Sequence, residues 1–390
     1  MKILHCITNY YPIYGGLERV VHKLSVEQAK RGHSIYILTS QPKFRYKENI
    51  LRYNNYSIVD AGDANIKVYC IKALKFYSDY LTIPCKIPKK VISSVDVIHI
   101  HNHNHFFNIK IGEKARESGK RVIVHFMSVD SFKYYPKFPH KIIGKFYQNH
   151  ITKKALKISS INLVKSIRDL FLLYREHKAN AKYIPDGIDD YYFTTVSNSS
   201  IFRDKFNLED SHIILYIGRL HPIKGPQILL KAIPYLRRRL DDFKVVLIGP
   251  GPQIWLRKLA RKLNVEKYLK FTGVINEKLK IAAIDSSFCV VIPSLYAFSE
   301  AFSLVASEAW ARRKPVVASS VGELRYRVKN FKNGILVPPN DPEALAKAII
   351  KTLDIKFNIN VRLLTWSQVA DKLIRIYTEC ITSNFSKEVS

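Results

Sequence analysis

The segment IPSLYAFSEAFSLVASEAWA, residues 292–311, connects the end of an apolar strand pattern to an apolar helix pattern. It carries two glutamates, Glu300 and Glu308, in a chain with 63 basic and 32 acidic residues. Eight residues of an α-helix rise about 12 Å, so these two carboxylates do not form a paired acid and base. We expect them to hold two parts of one extended ligand, with Glu300 in the loop before the helix and Glu308 two turns further along.

The same strand, loop and helix pattern recurs on both sides of this segment. Apolar strands that alternate with helices predict parallel sheets covered on both faces. The pattern stops in KYIPDGIDDYYF (182–193) and restarts in IILYIGRL (213–220). The sequence therefore predicts two doubly wound α/β domains, 1–185 and 201–364, joined by a linker at 186–200. Ligands bind such sheets at the carboxyl ends of the strands, which favours a site in a cleft between the domains.

Composition and charge restrict the class of protein. The net charge is +31, and residues 1–185 hold 32 Lys and Arg against 12 Asp and Glu. This excess favours nucleic acid, an anionic membrane surface or a phosphorylated substrate, although a lysine-rich chain without a special partner is the alternative. The five cysteines are scattered, which predicts free thiols. Without a signal-peptide pattern or an apolar run of roughly 18 residues, we expect a cytoplasmic protein whose membrane contact is peripheral.

Two glycine-containing loops follow predicted strands. Gly15 and Gly16 open a helix, where backbone amides suit a phosphate, although a tight turn is the alternative. GRLHPIKG (218–225) carries Arg219 and Lys224, a fork and a point charge that suit a diphosphate. A solvated charge pair is the alternative for these two cations.

The opening segment supplies acceptors and donors for the same kind of ligand. Unpaired amides of Ala301, Phe302 and Ser303 would point at the helix start, where negative charge is stabilised. Carboxylates accept hydrogen bonds from pairs of sugar hydroxyls, so Glu300 could hold a hexose and Glu308 a ribose. The alternatives are a charge at a helix N-terminus for Glu300 and a surface position for Glu308.

Histidines cluster at two strand ends, in HIHNHNH (99–105) and at His125. The alternate spacing of the first run resembles a metal site, but no carboxylate or cysteine nearby completes one, and we predict no metal. His125 either donates a hydrogen bond to a substrate or is a satisfied core residue.

Taken in order, these segments resemble the retaining GT-B glycosyltransferases of the family 4 type, over nearly the whole chain. The E-x7-E element of Glu300 and Glu308 is the most specific feature. The other similar segments are GGLERVVHKLSVEQAKRGHSIYILT, YIPDGIDDYYF, GRLHPIKG, LIGPGP, FTGVINEKL and NGILVPPNDPEALAKAI. The resemblance implies two Rossmann-like domains that face each other across a cleft, and a final helix, 365–382, that packs back on the first domain.

The resemblance also implies an activity. A sugar would move from a UDP- or GDP-sugar to a glycan or polyprenyl-lipid-linked acceptor, with retention by a same-face, oxocarbenium-like route and without a metal or other cofactor. Glu308 would bind the ribose, Glu300 the transferred sugar, and Arg219 and Lys224 the diphosphate, while His125 would meet the sugar from the other domain. The implied catalytic set is His125, Glu300, Arg219 and Lys224. The implied donor-binding set is Gly15, Gly16, Arg219, Lys224, Glu300, Ala301, Phe302, Ser303, Leu304 and Glu308.

Three positions depart from the family pattern. Ser303 and Arg313 stand where glycine is usual, and the usual GG-x-x-E segment reads Gly322-Glu323-Leu324-Arg325-Tyr326. These departures bear on sugar identity and activity. They support the alternative of a weak or inactive GT-B protein with a lipid-binding, nucleic-acid-binding or assembly role. No nucleic-acid-binding motif is apparent, so nucleic acid is not an expected partner.

The segment FKYYPKFPHKIIGKFYQNHITKKALK, residues 132–157, interleaves lysines with aromatic residues. Rings that anchor among headgroups and ammonium groups that meet lipid phosphate would suit an anionic membrane surface. The expected place is the inner face of the cytoplasmic membrane. A solvated lysine face over an ordinary aromatic core is the alternative.

Overall fold

The computed structural model describes residues 1–10, 15–40, 50–52, 56–60, 66–76, 79–131, 140–196, 198–208 and 211–382. The chain forms two compact units. Unit 1 comprises Met1–Gly187 and Leu364–Ser390, and unit 2 comprises Ile188–Leu363. Among the described residues, no helix has the length and apolar character needed to cross a membrane.

Unit 1 contains eleven strands and six helices within its described residues. The strands are β1 (Lys2–Cys6), β2 (Ser34–Ser40), β3 (Ile50–Arg52), β4 (Tyr56–Asp60), β5 (Ile66–Ile71), β6 (Ala73–Lys75), β7 (Thr82–Pro84), β8 (Val97–His101), β9 (Arg121–Phe126), β10 (Ile161–Val164) and β11 (Lys182–Tyr183). The helices are α1 (Gly16–Ala29), α2 (Lys89–Ser93), α3 (Phe106–Glu117), α4 (His140–Ile158), α5 (Ile167–His177) and, at the end of the chain, α14 (Trp366–Thr382).

Nine of these strands form one sheet in the order β11-β10-β9-β8-β1-β2-β5-β4-β3. Its neighbours pair in parallel from β11 to β5, whereas β4 pairs antiparallel with both β5 and β3. Strands β6 and β7 form a separate antiparallel hairpin. The sequence patterns predict the central parallel strands but not β3, β4, β6, β7 or β11. All of these except β4 have only two or three residues, which are too few to show a period.

Unit 2 contains six strands and eight helices within its described residues. The strands are β12 (His212–Ile217), β13 (Phe243–Ile248), β14 (Leu269–Gly273), β15 (Ser287–Ile292), β16 (Val316–Ser319) and β17 (Gly334–Val337). The helices are α6 (Tyr191–Thr194), α7 (Ser200–Phe206), α8 (Pro226–Leu236), α9 (Ile254–Leu263), α10 (Glu277–Ser286), α11 (Leu304–Ala311), α12 (Leu324–Arg327) and α13 (Pro342–Asp354), of which α6 and α7 together precede the sheet.

The unit 2 sheet is parallel throughout, in the order β14-β13-β12-β15-β16-β17. Side chains alternate between its two faces. Ile214 and Val245 pack on one face with buried residues of α8 and α13, and Ile213 and Val246 pack on the other with α10 and α11. Helices therefore cover both faces, which confirms the predicted doubly wound α/β class.

The sequence predicts a linker at residues 186–200, but the structure assigns most of this segment to unit 2. The boundary between the units falls at Gly187, and the chain returns to unit 1 at Leu364. Ile188 and Tyr192 are buried in the core of unit 2. Because these two apolar side chains pack in the core of unit 2 directly after the boundary, only a short connection between the units remains at this point.

Helix α14 packs in unit 1, where it contacts α1 and β8. The guanidinium of Arg31 donates to Asp371 (2.6 Å) and to the carbonyl oxygen of Ser367 (3.0 Å). Deeper in the unit, the hydroxyl of Tyr377 lies 2.6 Å from Nδ1 of His99, and Nε2 of Gln28 donates to it at 3.4 Å. Because Tyr377 is fully buried, these hydrogen bonds replace lost water contacts.

We predict that Tyr377→Phe lowers the free energy of unfolding by about 1–3 kcal/mol, because His99 and Gln28 each lose a buried hydrogen-bond partner. Urea unfolding measures this change. Tyr174→Phe is the matched control, since Tyr174 is exposed on α5 of the same unit and should leave the midpoint unchanged. An equal effect of the two substitutions would contradict the role of Tyr377.

Candidate active site

The loop that follows β15 holds Glu300 in a buried position. Its Oε1 atom accepts hydrogen bonds from the hydroxyl of Ser294 (2.6 Å) and from Nζ of Lys224 (2.7 Å). Lys224 also donates to the carbonyl oxygen of Ser299 at 2.6 Å. Glu300 is only 4% exposed, and a carboxylate buried to this degree requires such compensation. The structure thus brings together Lys224 and Glu300, two of the predicted site residues.

Backbone contacts join the loop that carries Arg219 and Lys224 to the loop that carries Glu300. Gly225 has a φ of +73°, and a Cβ atom there would lie 1.9 Å from the carbonyl oxygen of Pro293. The amide of Leu295 donates to the carbonyl oxygen of Ile223 at 3.0 Å. Only glycine permits both this conformation and this approach. The glycine at the end of GRLHPIKG therefore sets the distance between the two loops.

Arg219 lies at the start of the same loop. The hydroxyl of Tyr216 donates to its carbonyl oxygen at 2.7 Å, while its side chain is exposed. Burial and the charge of Glu300 raise the pKa of Tyr216, and the charge of Arg219 lowers it by less. The phenol of Tyr216 therefore stays protonated and remains a hydrogen-bond donor. The charges of both Glu300 and Arg219 act on it.

The amides of Ala301, Phe302 and Ser303 precede α11. None of these three amides donates a hydrogen bond to another residue within the described part of the chain. Ser303 is the N-cap residue of α11, but its side chain makes no capping hydrogen bond. Leu304 begins the helix. This row of unused donors at a helix N-terminus is a favourable place for negative charge or for sugar oxygens.

Glu308 lies in the second turn of α11 and is 4% exposed, so the surface alternative for this residue is wrong. Its Oε1 atom accepts a hydrogen bond from Nζ of Lys280 at 3.0 Å. Lys280 also pairs with Glu277 at 2.9 Å, and Glu277 in turn accepts from the hydroxyls of Tyr192 (2.8 Å) and Tyr191 (3.1 Å).

Lys280 and its neighbours are not among the residues predicted from the sequence. Lys280 interrupts the apolar run LKIAAI at a position that α10 buries, and it lies three residues after Glu277. A lysine in an apolar helix face is the signal from which a buried ion pair could have been predicted. Its partner Glu308 was not predictable, because 28 residues and a strand separate the two in sequence.

Two of the departures from the family pattern have a backbone explanation. Arg313 follows α11 with a φ of +53°, in the left-handed region where glycine costs least. Gly322, the glycine that is kept, also has a φ of +53°. Glu323, at the position of the second glycine, is fully buried, and its amide donates to the carbonyl oxygen of Glu300 at 2.9 Å.

In unit 1, Gly15 and Gly16 lie at the N-terminus of α1 and are exposed. A Cβ atom on Gly16 would meet nothing within 4 Å, so the space beside this amide is open. His125 lies near the end of β9 and is 3% exposed. Burial lowers its pKa to about 3, so its imidazole is neutral at neutral pH. Both its ring nitrogens are without a hydrogen-bond partner among the described residues.

His125 belongs to an array of buried histidines on one face of the sheet. In the strand register, His5 pairs with His99 and His101 pairs with His125. One ring nitrogen each of His5, His99 and His101 lies within 4.8 Å of the others. Hydrogen bonds already join His5 to His101 (2.9 Å) and to Gln28 (2.7 Å). Three imidazoles can bind zinc, but both ring nitrogens of His5 already make hydrogen bonds, so a metal would have to displace one of them.

Two family models match the chain and together cover most of its length. The model described as glycosyltransferase family 4 matches residues 14–191. The model described as glycosyl transferases group 1 matches residues 198–363, which contain Arg219, Lys224, Glu300 and Glu308. The chain belongs to the group 1, family 4 type of glycosyltransferases. The predicted family is therefore confirmed.

Relatives of this glycosyltransferase include enzymes for several acceptors. It is 28% identical to D-inositol 3-phosphate glycosyltransferase of Corynebacterium glutamicum over 245 residues, which are 58% of each chain. It is 25% identical to O-antigen chain mannosyltransferase C of Escherichia coli, over 90% of this chain and 88% of the relative. It is 32% identical to phosphatidyl-myo-inositol mannosyltransferase of Mycobacterium leprae, over 45% of this chain and 49% of the relative.

Solved structures share the fold of this glycosyltransferase. Sucrose-phosphate synthase from Thermosynechococcus elongatus has a TM-score of 0.76 at 20% identity, over 98% of this chain and all of the other. Anabaena Alr3699/HepE in complex with UDP-glucose has a TM-score of 0.67 at 17% identity, over 98% and 95%. The predicted GT-B fold class is confirmed.

The buried histidines give this glycosyltransferase a predicted pH dependence of stability. Burial lowers the pKa of His5 to about 4 and that of His103 to about 3, and it holds the pKa of His99 and His101 well below 6.5. The unfolded chain takes up protons below pH 6.5, whereas the folded chain does not until about pH 4. The free energy of unfolding is therefore highest above pH 6.5. It falls as the pH drops from 6.5 towards 4, by up to about 1.4 kcal/mol per histidine and pH unit.

Urea unfolding at pH 7.5 and 5.5 checks this prediction, and we expect a lower midpoint at pH 5.5. The variant His103→Gln should reduce the difference between the two pH values. His150→Gln should not, because His150 is exposed on α4. Identical midpoints at both pH values would contradict the prediction.

Proposed function

We propose that this glycosyltransferase moves a hexose from a UDP- or GDP-sugar to a glycan or lipid-linked acceptor, with retention and without a metal. The observation that carries the proposal is the arrangement of Glu300 beside Lys224 and the unused amides of residues 301–303. A carboxylate that accepts from sugar hydroxyls here lies next to a cation that can bind a diphosphate, and next to unused amides that can donate to oxygens of the sugar. One site can then bind both ends of the bond that breaks.

At the diphosphate, Arg219 and Lys224 supply positive charge. Arg219 is exposed and able to form paired hydrogen bonds with phosphate oxygens, and Lys224 is partly exposed, with its ammonium already fixed by Glu300 and Ser299. Negative charge develops on the diphosphate as the glycosidic bond breaks. Fixed cations would stabilise that charge, which is the work that a metal performs in other enzymes.

At the sugar, Glu300 has one oxygen engaged. Its Oε1 atom accepts two hydrogen bonds from described residues, and Oε2 accepts none from them, which leaves it for hydroxyl groups of the hexose. A carboxylate already paired with a lysine is a poor nucleophile. This pairing supports a same-face, oxocarbenium-like transfer over a covalent intermediate. The proposed role of His125, a neutral hydrogen-bonding group towards the same sugar, rests on the family resemblance.

At the nucleoside, we assign the ribose to Glu308. Lys280 holds one of its oxygens at 3.0 Å, so the carboxylate is fixed in place before a ligand arrives. A preorganised acceptor binds a pair of ribose hydroxyls at a lower cost in side-chain entropy. The neighbour Alr3699/HepE was solved with UDP-glucose, which supports a nucleotide-sugar donor for this fold.

For the acceptor side, unit 1 exposes apolar side chains beside lysines. Ile142, Ile143 and Phe146 of α4 are 51–74% exposed, and Lys145 lies among them. The hairpin of β6 and β7 exposes Leu74 and Ile83, and α3 contacts both α4 and β7. We propose that this surface, α4 with the β6–β7 hairpin, binds an anionic membrane that carries the acceptor. Of the segment 132–157, residues 132–139 and the side chain of Lys141 lie outside the described residues.

The alternative, a weak or inactive protein, is tested by nucleotide binding. UDP or GDP at about 100 times its dissociation constant should stabilise the protein by roughly 2.7 kcal/mol in a thermal unfolding assay. A full set of nucleoside diphosphates without any shift would favour the inactive alternative. A donor screen with mass detection of the product then identifies the sugar, and NMR of the product reports whether its anomeric configuration is retained.

We predict that Glu300→Gln and Glu308→Gln separate the two ends of the donor. Glu308→Gln should weaken binding of both the nucleoside diphosphate and the donor, because the ribose contact belongs to both. Glu300→Gln should keep nucleotide affinity and lower turnover, because the glutamine oxygen can still accept from Lys224 while the sugar loses its carboxylate partner. Calorimetric titration with UDP and GDP and initial-rate assays measure the two effects, and the exposed Glu176→Gln on α5 is the control. Wild-type turnover in both variants would overturn the site assignment.

We predict that the protein sediments with anionic liposomes and is released as salt rises, since each lysine near the surface contributes about 1 kcal/mol. The double variant Ile143→Ser/Phe146→Ser should bind more weakly, because it removes the apolar side chains that would enter the headgroup layer. Ile254→Ser, an exposed position on α9 of unit 2, is the control. Equal binding to neutral and anionic vesicles, or none to either, would remove the membrane from the proposal.

A further inference from the structure

The one-turn helix α12 is attached to the Glu300 loop at both of its ends. Before the helix, the amide of Glu323 donates to the carbonyl oxygen of Glu300 at 2.9 Å. At the last helical residue, the guanidinium of Arg327 donates to the carbonyl oxygen of Ser303 at 3.1 Å. The two accepting carbonyls bracket the row of unused amides at residues 301–303.

These two hydrogen bonds help to determine where amides of the loop point; the carbonyl oxygen of Ser303 also accepts the first hydrogen bond of α11, from the amide of Ser307 at 3.4 Å. In a planar trans peptide, the N–H group points opposite to the C=O group. The carbonyl of Glu300 shares its peptide plane with the amide of Ala301, and the carbonyl of Ser303 shares its plane with the amide of Leu304. Because both carbonyls turn towards α12, the amides of Ala301 and Leu304 turn away from it. Helix α12 thus orients the amides of Ala301 and Leu304, which both belong to the proposed donor-binding set.

The first attachment depends on a close backbone approach. A Cβ atom on Gly322 would lie 2.4 Å from the carbonyl oxygen of Glu300 and 2.6 Å from that of Ala297. Such distances are shorter than any relaxed contact, and the φ of +53° also favours glycine. Gly322 is therefore required for the chain to pass directly beneath the loop.

The second attachment depends on a side chain. The guanidinium of Arg327 lies 4.0 Å from the ring centroid of Phe302 and 4.9 Å from that of Trp310, and it donates to the hydroxyl of Ser307 at 2.7 Å. It therefore joins the loop to the first turn and to the end of α11. The planar fork of arginine makes two directed hydrogen bonds and stacks on rings at once, which the ammonium of lysine cannot do.

Arg327 is itself held in place. Nδ2 of Asn333 donates to the carbonyl oxygen of Arg327 at 3.0 Å, and the indole of Trp310 donates to the carbonyl oxygen of Asn333 at 2.8 Å. Asn333 is buried. Both the backbone of Arg327 and the ring against which it stacks are thus fixed by one residue, so the guanidinium reaches Ser303 from a rigid base.

We propose that Arg327 is a positioning residue for the sugar end of the donor site. It orients the peptide between Ser303 and Leu304, and with Glu323 it keeps the row of amides aimed at the transferred sugar. Its effect is on turnover and not on the nucleotide, because Glu308 and Lys280 hold the other end of the site independently. This inference rests on the proposed function.

The test compares Arg327→Met, which keeps an unbranched apolar stem but removes the charge and the fork, with Arg327→Lys. Arg325→Met is the matched control, since Arg325 is exposed on the same helix. We expect Arg327→Met to lower kcat, on the order of 100-fold for a small misplacement of the reacting group, and to leave the Kd for UDP or GDP within about twofold. Arg327→Lys should recover part of kcat, because an ammonium reaches only one of the two acceptors.

Wild-type kcat in Arg327→Met would overturn the proposal, as would an equal loss of nucleotide affinity and of thermal stability, which indicates a general structural role. A crystal structure of Arg327→Met is a readout that needs no turnover, and rotated peptide planes at residues 300–304 are the expected result. Unchanged planes would overturn the positioning role even in an inactive enzyme. Failure of the proposed function appears differently, as a wild-type protein that binds no nucleoside diphosphate and transfers no sugar.

Discussion

The ion pair between Lys224 and the buried carboxylate of Glu300 is the interaction on which the candidate site depends. It joins the loops that follow β12 and β15, which are adjacent strands of a parallel sheet. Parallel strands bring their carboxyl ends to the same edge, so residues 76 apart in sequence become neighbours without any special arrangement. A lone carboxylate with 4% exposure would be costly to ionise, and the lysine makes its charged form tolerable.

A second set of hydrogen bonds and ion pairs, made with other segments of the chain, holds the Glu300 loop and α11 in place. Gly225 and Gly322 allow two other backbone segments to approach the loop more closely than a Cβ atom would permit. Lys280 holds Glu308, and Arg327 holds Ser303. The binding groups themselves are few, and most of the local structure serves to fix their orientation, as a preorganised site requires.

The departures from the family pattern fall around this support. Ser303 replaces a glycine at the start of α11, and Arg327 donates to its carbonyl oxygen. Glu323 replaces the second glycine after Gly322, and its amide is bonded to Glu300. Arg313 keeps the left-handed conformation that its glycine counterpart suits, with φ of +53°. Beside these changes, Glu300 contacts Ser294 and Lys224, and Glu308 contacts Lys280.

The sequence by itself determined the doubly wound α/β class, the order of the central strands along the chain and the family, because periodic apolar runs and the E-x7-E spacing are local in sequence. It also identified Glu300, Glu308, Arg219 and Lys224 as chemically suited residues. Only the tertiary structure decided their partners. Lys280 and Arg327 reach the site from other segments, 28 residues from Glu308 and 24 residues from Ser303, and His5 joins the histidines of β8 through strand register alone. Such pairings arise when the sheet assembles, so no short stretch of sequence encodes them.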